Sequence, residues 1–79
     1  MNKREHKQII GLADRLYEIR EELGYNVADM CYVLDLEPLE YISLETGDPD
    51  YSLLIYEVLL YFMETYLEEA KKLRGKTNG

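Results

Sequence analysis

Seventy-nine residues with 47% hydrophobic and 32% charged side chains make one small domain's worth of chain, too short for two cores and too apolar to stay disordered. One Cys and one His exclude a disulfide framework and a zinc site of three or four protein ligands. The net charge of -7 is unevenly spread: residues 1–20 carry +2, residues 71–79 carry +4, and residues 21–70 hold thirteen Asp and Glu with no Lys or Arg.

The basic start, Met1 to Gln8, is followed only by Ile9 and Ile10 before Asp14 and Arg15, so no signal-peptide apolar region is predicted. The longest apolar run, Leu53 to Met63, is interrupted by Glu57 and reaches roughly half of the ~20 residues of a membrane span. The expectation is a cytoplasmic protein, not a membrane one, with its thiol reduced.

Ile9, Leu12, Leu16, Ile19 and Leu23, with Ala13 beside them, fall on one helical stripe, which predicts a first helix over about residues 7–23. Gly24 suits a left-handed C-terminal cap, and Asn26 with Asp29 reads as an N-cap and variant capping box. A second helix over residues 27–34 follows, with Met30, Cys31 and Leu34 inward and Leu36 closing the turn. Pro38 at a first helical position and Glu40 in the same turn open a third helix, residues 38–45. Gly47-Asp48-Pro49-Asp50 is a dense turn signal.

From Ser52 the apolar pattern runs unbroken to Arg74, a helix of about 33 Å at 1.5 Å per residue. Glu57, Glu64 and Glu68 cluster within about 40° of one another, and apolar residues cover most of the remaining circumference. Such a helix needs more than one partner surface. A homodimer through this helix is expected, with Ile55, Leu59, Phe62, Met63 and Tyr66 at the contact.

This order of elements resembles the lambda-repressor-like (Cro-type, XRE) helix-turn-helix domain over about residues 9–62. Met30 and Cys31 stand where the family's second helix has its inward Leu-Ala pair, and Asp35 and Leu36 stand for its Gly and branched residue. Glu37-Pro38 opens the third helix where the family has Ser-Pro, and Leu44-Glu45-Thr46-Gly47 matches its apolar-Glu-any-Gly ending. Ser52-Leu53 resembles the Ser-Leu of its fourth helix. The resemblance implies an all-α, lambda-repressor-like bundle of four to five helices in a single domain over residues 1–79, with a long C-terminal helix over about residues 52–74. It also implies a DNA-facing third helix and a structural Glu45, capping or pairing inside the motif.

The departures bear on function. Val27 replaces the usual phosphate-holding Gln, Asp48 replaces the usual Lys or Arg after the closing Gly, and the exposed third-helix surface is Glu37, Pro38, Leu39, Glu40 and Ser43. Asp29, Asp35, Glu37, Glu40, Asp48 and Asp50 would repel a phosphate backbone, and phosphate contacts supply most non-specific affinity for DNA. A non-catalytic regulatory protein is therefore expected, its recognition residues Glu37, Leu39, Glu40, Tyr41 and Ser43 facing a protein partner with a basic surface. Tyr32 beside Tyr41 adds amphipathic rings to that face. The alternative is a sequence-specific DNA-binding transcriptional regulator whose dimer grips phosphate with basic arms, Lys3, Arg4 and Lys7 or Lys71, Lys72, Arg74 and Lys76.

No enzyme, cofactor or metal site is expected. Cys31 reads as a buried structural thiol, because the only His, His6, lies in an N-terminal segment expected to be mobile. Neither Asp35, Glu37 and Glu40 nor Asp48 and Asp50 follow a calcium-loop spacing.

Overall fold

The computed structural model describes residues 3–48 and 50–77, the side chains of residues 76 and 77 excepted; Pro49 of the expected turn and the Lys76 side chain lie outside the described residues. The chain is all-helical over these residues, with α1 (Lys3–Leu23), α2 (Val27–Leu34), α3 (Pro38–Glu45) and a long α4 (Leu53–Thr77). The two short helices have the expected bounds. α1 begins four residues earlier than the stripe suggested, because nothing between Lys3 and Lys7 breaks a helix and Glu5 complements the dipole in its first turn. His6 is thereby a helical, exposed residue and not part of a loose segment.

Three helices end in the same way. The residues Gly24, Asp35 and Gly47 have φ of 72°, 55° and 79°, the left-handed region. In each case the following N–H reaches back five residues: Tyr25 to the Arg20 carbonyl at 3.1 Å, Leu36 to Cys31 at 3.0 Å and Asp48 to Ser43 at 3.0 Å. Asp35 takes a backbone conformation that Gly adopts freely and that Asp and Asn tolerate better than most side chains. At the other ends, the Asp29 N–H donates to Asn26 Oδ1 at 2.8 Å and the Asn26 N–H to Asp29 Oδ2 at 3.0 Å, the reciprocal capping box. The Glu37 N–H donates to Glu40 Oε1 at 3.0 Å. Ser52 Oγ accepts from the Ile55 N–H at 3.3 Å.

α1 and α4 lie side by side in parallel. Arg15 meets Glu64 across a sequence separation of 49, Glu22 meets Lys71 at the same offset, and Gln8 and Glu57 line one shallow apolar groove. The contacts thus advance by seven residues on both helices, the repeat of coiled-coil packing. Beneath them sit Ile9, Ala13, Leu16, Ile19 and Leu23 from α1 and Tyr56, Leu60, Met63 and Leu67 from α4, all buried. Met30 of α2 and Tyr41 and Leu44 of α3 close the same core. Each fully buried side chain of this kind contributes roughly 1.5–3 kcal/mol.

The Arg15 guanidinium is bidentate on Glu64, Nη2 to Oε1 at 2.6 Å and Nε to Oε2 at 2.8 Å, with Glu18 and Glu22 at 3.7 and 3.6 Å. These hydrogen bonds hold the Glu64 carboxyl below its ordinary range. A folded-state pKa below the unfolded one gives stability that is present above the unfolded pKa and lost as pH falls through the folded one. Glu64 is 46% exposed at its side chain, so the effect is below about 1 kcal/mol. We expect Glu64→Gln to lose little at pH 7 and to flatten the fall in melting temperature of the parent below pH 5, measured by circular dichroism. An unchanged acid slope would place the pH dependence elsewhere.

Candidate functional site

α3 spans little more than two turns, and its inward positions are Tyr41 and Leu44, three apart. Tyr41 is therefore not on the expected recognition surface. It is fully buried and belongs to the core. Burial first, and the adjacent Glu45 carboxylate second, push its hydroxyl well above the ordinary range. The hydroxyl makes no hydrogen bond in the structure.

Glu45 is held by Arg20, Nε to Oε2 and Nη2 to Oε1, each at 3.0 Å, and Arg20 Nη1 also donates to the Tyr25 carbonyl at 3.2 Å. The two side chains are only 16% and 13% exposed. This pair ties α1 to the end of α3 and to the turn before α2, and it accounts for Glu45 as a residue of the fold.

What α2 and α3 present to solvent is a mixture of apolar and acidic groups. Tyr32 is 90% exposed and Leu39 79%, with Ile42 at 45%. Glu37 and Glu40 are exposed and Ser43 is half-buried, and Asp29 and Asp35 are exposed on or next to α2. Ile42 was not among the expected surface residues; it is exposed because α3 turns Tyr41 and Leu44 inward, an orientation not expected from the sequence. Three carboxylates also serve their own backbone, Asp29 and Glu40 at helix starts and Asp48, whose Oδ1 accepts the Asp50 N–H at 2.9 Å. Their positions are set by the fold while their charge remains on the surface.

The expected dimer residues of α4 divide between two sides. Ile55 and Phe62 are 43% and 47% exposed and join Leu54, Val58 and Tyr61, also exposed, in one stripe opposite the core. Met63 belongs to the other side: it is fully buried under α1 and is corrected to a core residue. Leu59 and Tyr66 are half-buried against that core, the Tyr66 hydroxyl 2.9 Å from that of Tyr25 and the two rings edge-on at 6.2 Å. They too face inward because the helix presents two apolar sides and α1 takes the one that includes them.

The basic residues do not converge. Lys3 and Arg4 stand in the first turn of α1, whereas Lys71 pairs with Glu22 at 3.4 Å and Lys72 with Glu69 at 3.4 Å near the end of α4, close to exposed Arg74. Since α1 and α4 are parallel at an offset of 49, the two groups lie at opposite ends of the pair, about 28 Å apart by helical rise. Cys31 is half-buried against the core, less enclosed than expected. Among the described residues no three His, Cys, Asp or Glu are grouped to hold a metal ion, and no helix is long and apolar enough to cross a membrane. The chain matches no protein-family model, no curated protein and no solved structure.

Proposed function

We propose that this chain is a non-catalytic regulatory protein built on a lambda-repressor-like helix-turn-helix scaffold, whose α2–α3 face binds a protein with a basic surface. The scaffold reading is supported by two eight-residue helices separated by a three-residue turn, by Asp35 in the left-handed conformation usually given to Gly, and by Pro38 at the start of α3. The observation that carries the function is the exposure of Tyr32 on α2 and Leu39 on α3, two helices with several exposed carboxylates and, from residue 21 to 70, no Lys or Arg. Large apolar groups rimmed by one sign of charge fit a partner of the opposite sign: the charge steers the encounter and the apolar groups are buried in it.

The same surface disfavours DNA, whose phosphates would meet Glu37, Glu40 and Asp35. DNA binding through the basic ends would rest on one end at a time, and at the α4 end Lys71 and Lys72 are already paired with Glu22 and Glu69. The exposed stripe Leu54, Ile55, Val58, Tyr61 and Phe62 supports self-association through α4.

The test is a triple variant, Glu37→Gln, Leu39→Ser and Glu40→Gln, in which the amide oxygen at position 40 still accepts the Glu37 N–H. Immobilised parent protein should retain a basic protein from cell extract at physiological salt. The triple variant should lose at least about tenfold of that capture with its helical spectrum unchanged. Equal retention by parent and variant would show that this face is not the binding surface.

A further inference from the structure

A shallow cleft of about 430 Å³ lies beside the α1–α2 turn and is lined by Gly24, Tyr25, Asp29, Tyr32, Val33 and Tyr66. Three of its six lining residues are tyrosines, and its one charged group is the Asp29 carboxylate. Tyr25 and Tyr66 are locked together by their hydroxyl contact and edge-on packing, so their side of the cleft is preformed. Tyr32, by contrast, stands 90% exposed on α2. Asp29 Oδ2 accepts the Asn26 N–H, which fixes the carboxylate and leaves further lone pairs for a donor.

An exposed ring next to a fixed carboxylate, backed by the rigid Tyr25–Tyr66 pair, favours a cation, because the ring quadrupole and the carboxylate attract the same charge. The molecule already uses this combination once. The Arg20 guanidinium carbon lies 5.2 Å from the centre of the Tyr17 ring while its nitrogens hold both oxygens of Glu45. Two arginines of the chain approach the same tyrosines from elsewhere, Arg20 at the Tyr25 carbonyl and Arg74 in the neighbouring groove that shares Tyr25 and Tyr66, and neither lines this cleft.

We propose that this cleft receives an arginine side chain of the basic protein partner, stacked on Tyr32 and donating to Asp29. This rests on the function proposed above and adds to it a second anchor point, at the start of α2. Arginine is favoured over lysine because a planar, weakly hydrated guanidinium stacks on a ring and forks onto a carboxylate in one pose. A phosphate or carboxylate ligand is disfavoured by Asp29 and by the absence of any cation in the lining.

The experiment is a titration of isotope-labelled full-length protein with three end-capped tripeptides, Gly-Arg-Gly, Gly-Lys-Gly and Gly-citrulline-Gly, followed by amide chemical shifts. The arginine peptide should bind with millimolar affinity and shift Gly24, Asp29 and Val33, the lysine peptide should bind more weakly, and the neutral citrulline peptide should produce no shift there. Asp29→Asn, which keeps an oxygen for the Asn26 N–H but removes the charge, and Tyr32→Ala should each weaken the arginine peptide about three- to tenfold. Equal binding of the citrulline peptide, or unchanged affinity in both variants, would overturn the cleft proposal. Shifts confined to Leu39 and Glu40 would overturn it while leaving the α2–α3 face as the binding surface, so the two failures are distinguishable.

Discussion

Arg20→Ala should lower the stability of the domain by about 3 kcal/mol, measured by urea unfolding followed by circular dichroism. The guanidinium makes three hydrogen bonds, two to Glu45 and one to the Tyr25 carbonyl, and both members of the ion pair are more than four-fifths shielded from water. Breaking a buried pair leaves the surviving charge without its partner and costs roughly 3–5 kcal/mol; the residual exposure places this pair at the lower end. A domain of this size has a total stability of roughly 4–12 kcal/mol, so one truncation takes a large share of it. Replacing the pair together, Arg20→Met with Glu45→Met, should recover much of the loss, because no charge then remains buried. Tyr41→Phe is the contrasting variant. It removes a buried hydroxyl that lies beside Glu45 and Arg20 without a well-formed hydrogen bond to either, so stability should change by less than about 1 kcal/mol. A cost below about 1 kcal/mol for Arg20→Ala would mean that the pair behaves as a surface pair and does not hold α1 to α3.

Two neighbours on α4 should respond in opposite ways. Met63 is fully buried and Phe62 is 47% exposed, one position away. Met63→Ala should cost about 2–4 kcal/mol through a cavity under α1, lowering the melting temperature by more than about 10 °C at every protein concentration. Phe62→Ser with Val58→Ser should cost a dilute sample less than Met63→Ala does, about 1 kcal/mol, chiefly through the lost contact of the Phe62 ring with Tyr66. The double variant should abolish the concentration dependence of melting expected of a self-associating parent and leave a monomer by sedimentation equilibrium. If parent and double variant sediment alike as monomers, α4 does not self-associate. If Met63→Ala instead alters association and not stability, the core assignment is wrong.

The local features of the fold were legible because they are written in short range. The capping box of Asn26 and Asp29, Pro38 at a helix start and Gly24 and Gly47 at helix ends each involve residues within a few positions of one another. The stripe from Ile9 to Leu23 also reads directly as a buried face. Glu45 as a structural residue was legible through the resemblance, although its partner Arg20, 25 residues away, was not.

What was not legible depends on neighbours distant in sequence. α4 has apolar residues on two sides, so periodicity alone does not say which side meets α1; Met63 was accordingly expected outside and lies inside. Tyr41 sits in a helix of eight residues, too short for a periodic pattern to outweigh the reading of its ring as a surface group. The parallel register of α1 and α4 did leave a trace, in Arg15 and Glu22 facing Glu64 and Lys71 at matching seven-residue steps. Only the pairing of the two helices turns that spacing into ion pairs. At the candidate site the acidic charge and the capping role of Asp29 were plain in the sequence, whereas the backbone contacts of Glu40 and Asp48 required the turns themselves.

The most direct measurement of the central claim is a mobility shift with a pool of random-sequence duplex DNA, in low salt and again near physiological salt. A protein-facing α2–α3 surface predicts no retardation in either buffer, since weak electrostatic binding would be strongest in low salt and the exposed carboxylates oppose it. Retardation that selects a sequence and persists near physiological salt would contradict the account and point to DNA binding through the basic ends.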